Sequence, residues 1–302
     1  MKAKIFFIIV GSLLQGGIAF AQQDPLYSLY LNNPMVINPA YTGINNNLMA
    51  AINYRNQWAA FDGNPTTMAA SGHLSLRDNK MGAGLLIISD KIGEVTNTSF
   101  SGSYAYKIIK DDYAFSFGMQ AGLINYKTDP SDLSLQNPDD PAFAAVQETK
   151  FNLGAGVMMK SEKYIVGFSV PRMISNSLST QGGSVKVYQQ HFYFFGGYAY
   201  YLSDRILLKP SVLFKGVKGA PASIDVNFNV DLNRNYTAGI FTRNFQAFGL
   251  QAQFNFKEKY RLGYVFELPS NASVGTRFNT HEIMLSLRTA VFDFHQRSIT
   301  NF

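Results

Sequence analysis

The segment from Ile224 to Asn233 alternates strictly between two kinds of side chain. Its even-numbered residues are all apolar, and its odd-numbered residues are all Asp or Asn. Because successive side chains of a β-strand point to opposite faces, this strand has one apolar face and one polar face. The pattern recurs about every ten residues along the chain, between charged turns. Such repetition is typical of an all-β transmembrane barrel, with lipid outside and water inside.

Composition excludes several other classes of protein. Beyond the first 20 residues there is no apolar run of 18, so the chain is not a helical membrane protein. Aromatic residues make up 14% of the chain, as in barrels with aromatic girdles. The absence of cysteine excludes thiol catalysis, cysteine-ligated metals and a lipoprotein anchor. The net charge of +6, or +4 without Lys2 and Lys4, is scattered and does not favour a nucleic-acid partner.

Residues 1–21 are predicted to be a secretory signal peptide. Lys2 and Lys4 precede a short apolar stretch, and Ala19-Phe20-Ala21 supplies a small-x-small cleavage site before Gln22. The alternative, a membrane anchor, requires a longer apolar run. We therefore expect export, with a mature chain that starts at Gln22.

Residues 22–47, which we call the lead segment, are predicted to be irregular and yet packed. The segment is rich in Pro and Asn, which oppose regular structure, but it carries too many apolar residues for a solvated tail. We expect it to pack in the barrel lumen or at its periplasmic mouth, as a plug that fills the periplasmic half. Small lumen residues that leave room for such a chain are predicted at Gly118, Gly122 and Gly249.

Residues 48–302 are predicted to form a barrel of 14 strands. The predicted strands are 48–61, 65–77, 80–90, 95–109, 112–127, 149–160, 163–175, 188–202, 205–216, 222–233, 235–243, 245–256, 259–268 and 280–292. Six short polar turns alternate with links that are mostly longer, as short periplasmic turns alternate with external loops in outer-membrane barrels. An even number of strands then places both termini in the periplasm. Counts of 12 or 16 stay open, because Pro171 lies inside one predicted strand.

No stretch of the chain predicts catalysis, a cofactor or a metal site. His281-Glu282 opens like a zinc-protease signature, but Leu285 stands where the second histidine belongs. The Gly-Ala-Gly triplets at 82–84 and 154–156 lack the spacing of a phosphate-binding loop, and no Gly-x-Ser-x-Gly elbow is present. We expect no enzymatic activity.

Charged residues on the polar faces of the predicted strands are the remaining candidates for function. They could line a channel, latch a plug or brace the lumen by pairing across strands. The candidate lumen charges are Asp225, Asp231, Arg261, Glu267 and Arg288.

Several short blocks of the chain resemble the PorP/SprF family of the type IX secretion system of Bacteroidota. In the lead segment and first hairpin these are Gln23-Asp24-Pro25, Asn38-Pro39-Ala40-Tyr41-Thr42-Gly43, Tyr54-Arg55-x-Gln57-Trp58 and Asp62-Gly63-x-Pro65-Thr66-Thr67. Further along they are Ser89-Asp90-Lys91-Ile92-Gly93, Gly167-Phe168-Ser169-Val170-Pro171, Leu208-Lys209-Pro210-Ser211 and His281-Glu282-Ile283-Met284-Leu285. The blocks span nearly the whole mature chain.

The resemblance implies an outer-membrane barrel that takes part in type IX export and in gliding motility. It implies periplasmic ring and peptidoglycan-binding components as partners, and a cargo protein, such as a large adhesin, recognised through its C-terminal signal. It brings no catalytic residues. The alternatives are a FadL-like or porin-like channel for small or apolar solutes and an outer-membrane enzyme, for which no catalytic constellation is visible.

Overall fold

The computed structural model describes residues 27–110, 112–130, 145–180, 183–218, 220–270 and 278–290. The predicted signal peptide, together with Asp24 and Pro25, lies outside these residues. Within them the chain is almost entirely β-strand, and the helical segments are two short 3₁₀ helices, Pro34–Val36 and Pro39–Tyr41. No helix in this part of the chain is long and apolar enough to cross a membrane.

Seventeen strands are present in the described ranges. They are β1 (Leu48–Asn56), β2 (Thr66–Leu76), β3 (Met81–Ile92), β4 (Val95–Lys110), β5 (Tyr113–Thr128), β6 (Val146–Ser161), β7 (Tyr164–Val170), β8 (Asn176–Thr180), β9 (Gly183–Tyr188), β10 (His191–Tyr198), β11 (Tyr200–Ser203), β12 (Ile206–Val217), β13 (Ala220–Leu232), β14 (Tyr236–Arg243), β15 (Ala247–Phe256), β16 (Tyr260–Pro269) and β17 (Thr280–Thr289).

Fifteen of these strands form one closed antiparallel barrel. Most strands pair with their neighbours in sequence, β7 pairs with β10 across the β8–β9 stretch, and β1 pairs with β17. The strands β10 and β11 both pair with β12 and together make one barrel strand, so the wall has 14 strands. The predicted all-β fold and strand number are thus confirmed. The remaining strands, β8 and β9, form a separate hairpin in the stretch 176–187, which the sequence predicts as a loop.

Two prolines determine where strands stop or break. The strand predicted as 163–175 ends at Val170, immediately before Pro171. Pro210 lies inside β12, next to the point where its partner passes from β10 to β11. Because proline has no N–H to donate, it fits where the ladder is interrupted. The prediction for β1 was also too long, because residues 57–63 form a turn in which Trp58 has a positive φ of 55°.

The two faces of the wall have opposite chemistry, as the alternation predicts. In β13 the apolar Val226 and Phe228 face outward and are 42% and 43% exposed, whereas Asp225 and Asn227 are buried in the lumen. The same division holds in β5, where Phe117 and Met119 are exposed. The apolar outer wall meets lipid in a membrane, and the polar inner wall faces the lumen.

The two ends of the barrel differ. The six short polar turns, the start of β1 and the end of β17 lie at one end, which we call the turn end. The longer connections lie at the other, the loop end. The strands β4, β5 and β6 have 16 residues each, more than the roughly 9–11 needed to cross a membrane. The wall is therefore taller on that side and extends past the shorter strands at the loop end.

Candidate functional site: the occupied lumen

The described part of the lead segment, residues 27–47, lies inside the barrel. Leu29, Tyr30, Met35, Ala40 and Tyr41 are all 1% exposed or less. The largest apolar cluster of the described structure forms between this segment and inward side chains of the wall. The hydrophobic core of the protein is thus the contact between its N-terminal segment and the lumen.

Proline and asparagine give the lead segment its shape. Each 3₁₀ helix has Pro at its first position, Pro34 in one and Pro39 in the other, where the missing N–H costs nothing. The side chain of Asn38 caps the second helix by accepting a hydrogen bond from the Ala40 amide at 2.9 Å. The Asn-Pro pairs that argue against long helices therefore build two tight turns that fit within the lumen.

Glycines on the inner wall allow the lead segment to approach closely. A Cβ atom added to Gly118 would lie 2.2 Å from the Ala40 nitrogen, and one added to Gly82 would lie 2.0 Å from the Thr42 carbonyl oxygen. Of the three small residues predicted to leave room for the chain, only Gly118 does so. Gly122 and Gly249 are crowded instead by the backbone of β4 and by a wall side chain, because neighbouring wall residues fill the space beside them.

The polar inner wall satisfies the backbone of the lead segment. The Ser116 hydroxyl donates to the Ala40 carbonyl and the Ser169 hydroxyl to the Ile37 carbonyl, both at 2.6 Å. The Tyr30 hydroxyl accepts a hydrogen bond from the Asn227 side chain at 3.0 Å. Burial raises the pKa of Tyr30, so this hydroxyl stays protonated. An irregular segment without its own ladder is thus paired with the barrel.

A buried carboxylate holds the lead segment near the loop end. Glu282 is fully buried, and its two oxygens accept the backbone N–H groups of Ser28 at 2.8 Å and Leu29 at 3.0 Å. The Arg55 guanidinium pairs with the same carboxylate at 3.2 Å and with Glu267 at 3.2 Å. We call this group the Glu282 anchor.

A second arginine extends the anchor along the wall. Arg243 pairs with Asp225 at 3.0 Å and with Glu267 at 3.4 Å. Its guanidinium also approaches the Ser28 hydroxyl at 3.4 Å. Two arginines and three acids around the start of the described segment therefore leave a formal net charge of −1.

Two buried lysines hold the other end of the segment. The Lys107 ammonium donates to the Gly43 carbonyl, to the Asn79 side chain at 2.6 Å and to the Ser75 hydroxyl at 3.0 Å. Lys160 donates to the Asn45 side chain at 2.6 Å. Both lysines lie on the lumen side of their strands near the turn end.

The lead segment is therefore not confined to the half of the lumen beside the short turns, where the sequence hypothesis places it. It runs from the Glu282 anchor, at the loop ends of the shorter strands, to Lys107 at the turn end. The reason is that the backbone N–H groups of Ser28 and Leu29 are bonded to the Glu282 carboxylate, which lies at the loop end of the wall.

The five predicted lumen charges separate into two groups. Asp225 and Glu267 belong to the Glu282 anchor. The other three lie at the turn end: Asp231 pairs with Lys209 at 2.5 Å, Arg261 donates to Asn32 at 2.8 Å and to Asn255 at 2.7 Å, and Arg288 is half-buried on the lumen wall.

Sequence reasoning missed two members of the anchor. Glu282 is absent from the predicted lumen charges, although it shares the parity of Arg288 on β17 and so faces the lumen. Arg243 closes a strand where alternation gives a weak signal. Within the described residues no group of three or more His, Cys, Asp or Glu side chains could hold a metal ion.

The residues of the family-like first hairpin do different things. Arg55 belongs to the anchor, whereas Tyr54 faces outward and is 41% exposed. The backbone N–H of Gln57 donates to the Pro65 carbonyl at 2.9 Å and that of Trp58 to the Thr280 hydroxyl at 3.3 Å. These bonds fix the first loop-end turn against β17.

Comparisons with known proteins agree with this architecture. Residues 19–287 match the sequence profile of the family described as type IX secretion system membrane protein PorP/SprF. No curated protein matches the chain.

Among solved structures, two channels for monoaromatic hydrocarbons have a similar fold. The TodX deltaS2S3 mutant is 10% identical over 86% of this chain and 94% of its own, with a TM-score of 0.52. CymD is 10% identical over 87% of this chain and 94% of its own, with a TM-score of 0.51. At this identity the likeness shows the fold alone.

Proposed function

Because the chain belongs to the PorP/SprF family of type IX secretion system membrane proteins, we propose that it serves export as a closed outer-membrane barrel that binds other proteins. The observation that carries this proposal is the occupied lumen. Residues 27–47 are buried in it, with the Glu282 anchor at one end and Lys107 and Lys160 at the other. A barrel filled in this way is suited to hold partners rather than to pass solutes.

The two ends of the barrel serve different partners in this proposal. The turn end, with both ends of the barrel wall, faces the periplasm and contacts ring and peptidoglycan-binding components of the secretion system. The loop end faces outward and assists the export or surface attachment of one cargo, such as a large adhesin recognised through its C-terminal signal. Gliding motility would follow where that cargo is a motility adhesin. Support comes from the short polar turns at one end and from family membership.

Affinity purification of a tagged copy from native outer membrane, followed by mass spectrometry, tests the proposal. We expect periplasmic secretion-ring proteins, one large surface protein, or both, in the eluate. A tagged unrelated barrel from the same membrane is the control for carry-over. Recovery of the barrel alone, with altered solute uptake in a deletion strain, would favour a FadL-like or porin-like channel instead.

A further inference from the structure

The charged residues of the lumen differ between the two ends of the barrel. Around the Glu282 anchor, at the loop end, acids and arginines are paired with one another. At the turn end, five basic side chains face the lumen, and Asp231 is the only acid that the described strands place on the inner wall at that end. The turn-end cations are Lys107, Lys160, Lys209, Arg261 and Arg288.

Two of these cations are neighbours on the wall. Arg261 on β16 lies opposite Ser286 on β17, so Arg288, two residues further along the same face of β17, is its diagonal neighbour. The only ion pair that any of the five makes with a described acid is that between Lys209 and Asp231. Lys107 and Arg261 donate to carbonyl, hydroxyl or amide oxygens and form no ion pair with a described acid.

Arg288 is not tied to the barrel by polar side-chain contacts with the described residues. Its side chain has no hydrogen-bond or ion-pair partner among the described residues, and only its backbone N–H is bonded, to Lys259. It is half-buried on the inner wall one residue before the end of β17, and Arg261 and Lys209, at the same end of that wall, are partly exposed. A cleft lined by one sign of charge concentrates the field and attracts the opposite charge.

We propose that Lys209, Arg261 and Arg288 form a docking site for the carboxylates of an acidic segment of a partner protein, which enters the barrel at the turn end. Arginine pairs bidentately with carboxylate, and the three cations stand on three different strands, so one extended segment with several Asp or Glu side chains fits them. Lipid head groups are poor candidates because these side chains point into the lumen. One part of this inference rests on the proposed function: the statement that the partner is a periplasmic protein.

Binding of a fluorescein-labelled deca-glutamate peptide to the whole purified barrel in detergent tests the site. We expect salt-sensitive binding that weakens about tenfold in R288Q and stays within about threefold in R288K, which keeps the charge. Because the Arg288 side chain has no hydrogen-bond or ion-pair partner among the described residues, we expect R288Q to fold, and its heat-modifiable mobility on gels checks this. The matched control is K259Q, which removes one cation from the exposed turn at the same end.

Three results would overturn the proposal: no binding to the native barrel, equal weakening in R288Q and K259Q, or tighter binding of a soluble muropeptide, which would assign the site to a glycan. Purification from native membrane separates this inference from the proposed function. If the native barrel and R288Q recover ring proteins equally, the docking site is wrong and the export role stands. If the native barrel binds the peptide and recovers no ring proteins, the export role is wrong and the site stands.

Discussion

Replacing Glu282 by Gln should loosen the lead segment from the lumen. The carboxylate is fully buried and accepts four hydrogen bonds, from the backbone of Ser28 and Leu29 and from the side chains of Asn53 and Arg55. Breaking a buried, hydrogen-bonded ion pair costs about 3–5 kcal/mol. Gln keeps one acceptor oxygen, and Arg55 keeps its ion pair with Glu267, so we use the lower end of this range, about 3 kcal/mol. About 3 kcal/mol is a factor of roughly 150 in the ratio of released to bound segment.

Conductance in planar bilayers measures this ratio. The native barrel should stay closed for nearly all of the recording, and E282Q should show frequent openings, with the open-to-closed ratio raised about 150-fold. E258Q is the control, since Glu258 lies exposed in the turn between β15 and β16 and its loss should change nothing. Each variant is first shown to be folded by its heat-modifiable mobility on gels. Folded E282Q with the same trace as E258Q would refute the reasoning that this carboxylate holds the segment.

Further substitutions test the other contacts. G118V should force the lead segment away from β5 and raise conductance, because a Cβ at this position would lie 2.2 Å from the Ala40 nitrogen. The control G102V, on the outer face, should leave conductance unchanged. Equal traces for the two variants would contradict the close approach of the segment to β5. K107M removes the donor to Gly43, Ser75 and Asn79 and should lower the free energy of unfolding by about 1–3 kcal/mol in a urea titration. An unchanged midpoint would argue against the attachment of the lead segment to Lys107. F228K, on the lipid face, should cost about 2–4 kcal/mol of folding free energy in liposomes, and E258K almost nothing; similar values would place Phe228 away from the bilayer.

The barrel could be predicted from the sequence because its signal is local. Alternation in β13 gives the facing of Val226 and Asp225 directly, since side chains on a strand repeat every two residues. The short polar turns are also a local signal, so the number of strands and the difference between the two ends of the barrel could be predicted from them. The hairpin of β8 and β9 was missed because the stretch 176–187 has no comparable alternation with an apolar face.

The occupied lumen could be predicted only in outline. The apolar and Asn-Pro-rich composition of the lead segment indicates packing, but its partners are remote in sequence. Ser28 and Glu282 are 254 residues apart, and only closure of the wall by β1 and β17 brings Arg55 beside that carboxylate. The height at which the segment lies depends on such pairs, and no local pattern carries them.

The central claim is that a barrel closed by its own N-terminal segment serves protein export. Its most direct test compares the surface and medium proteomes of a deletion strain with those of its parent, alongside uptake of small solutes. The account predicts that one or a few large proteins are missing from the surface of the deletion strain, while its uptake of small solutes is unchanged. An unchanged surface proteome together with altered uptake would contradict it.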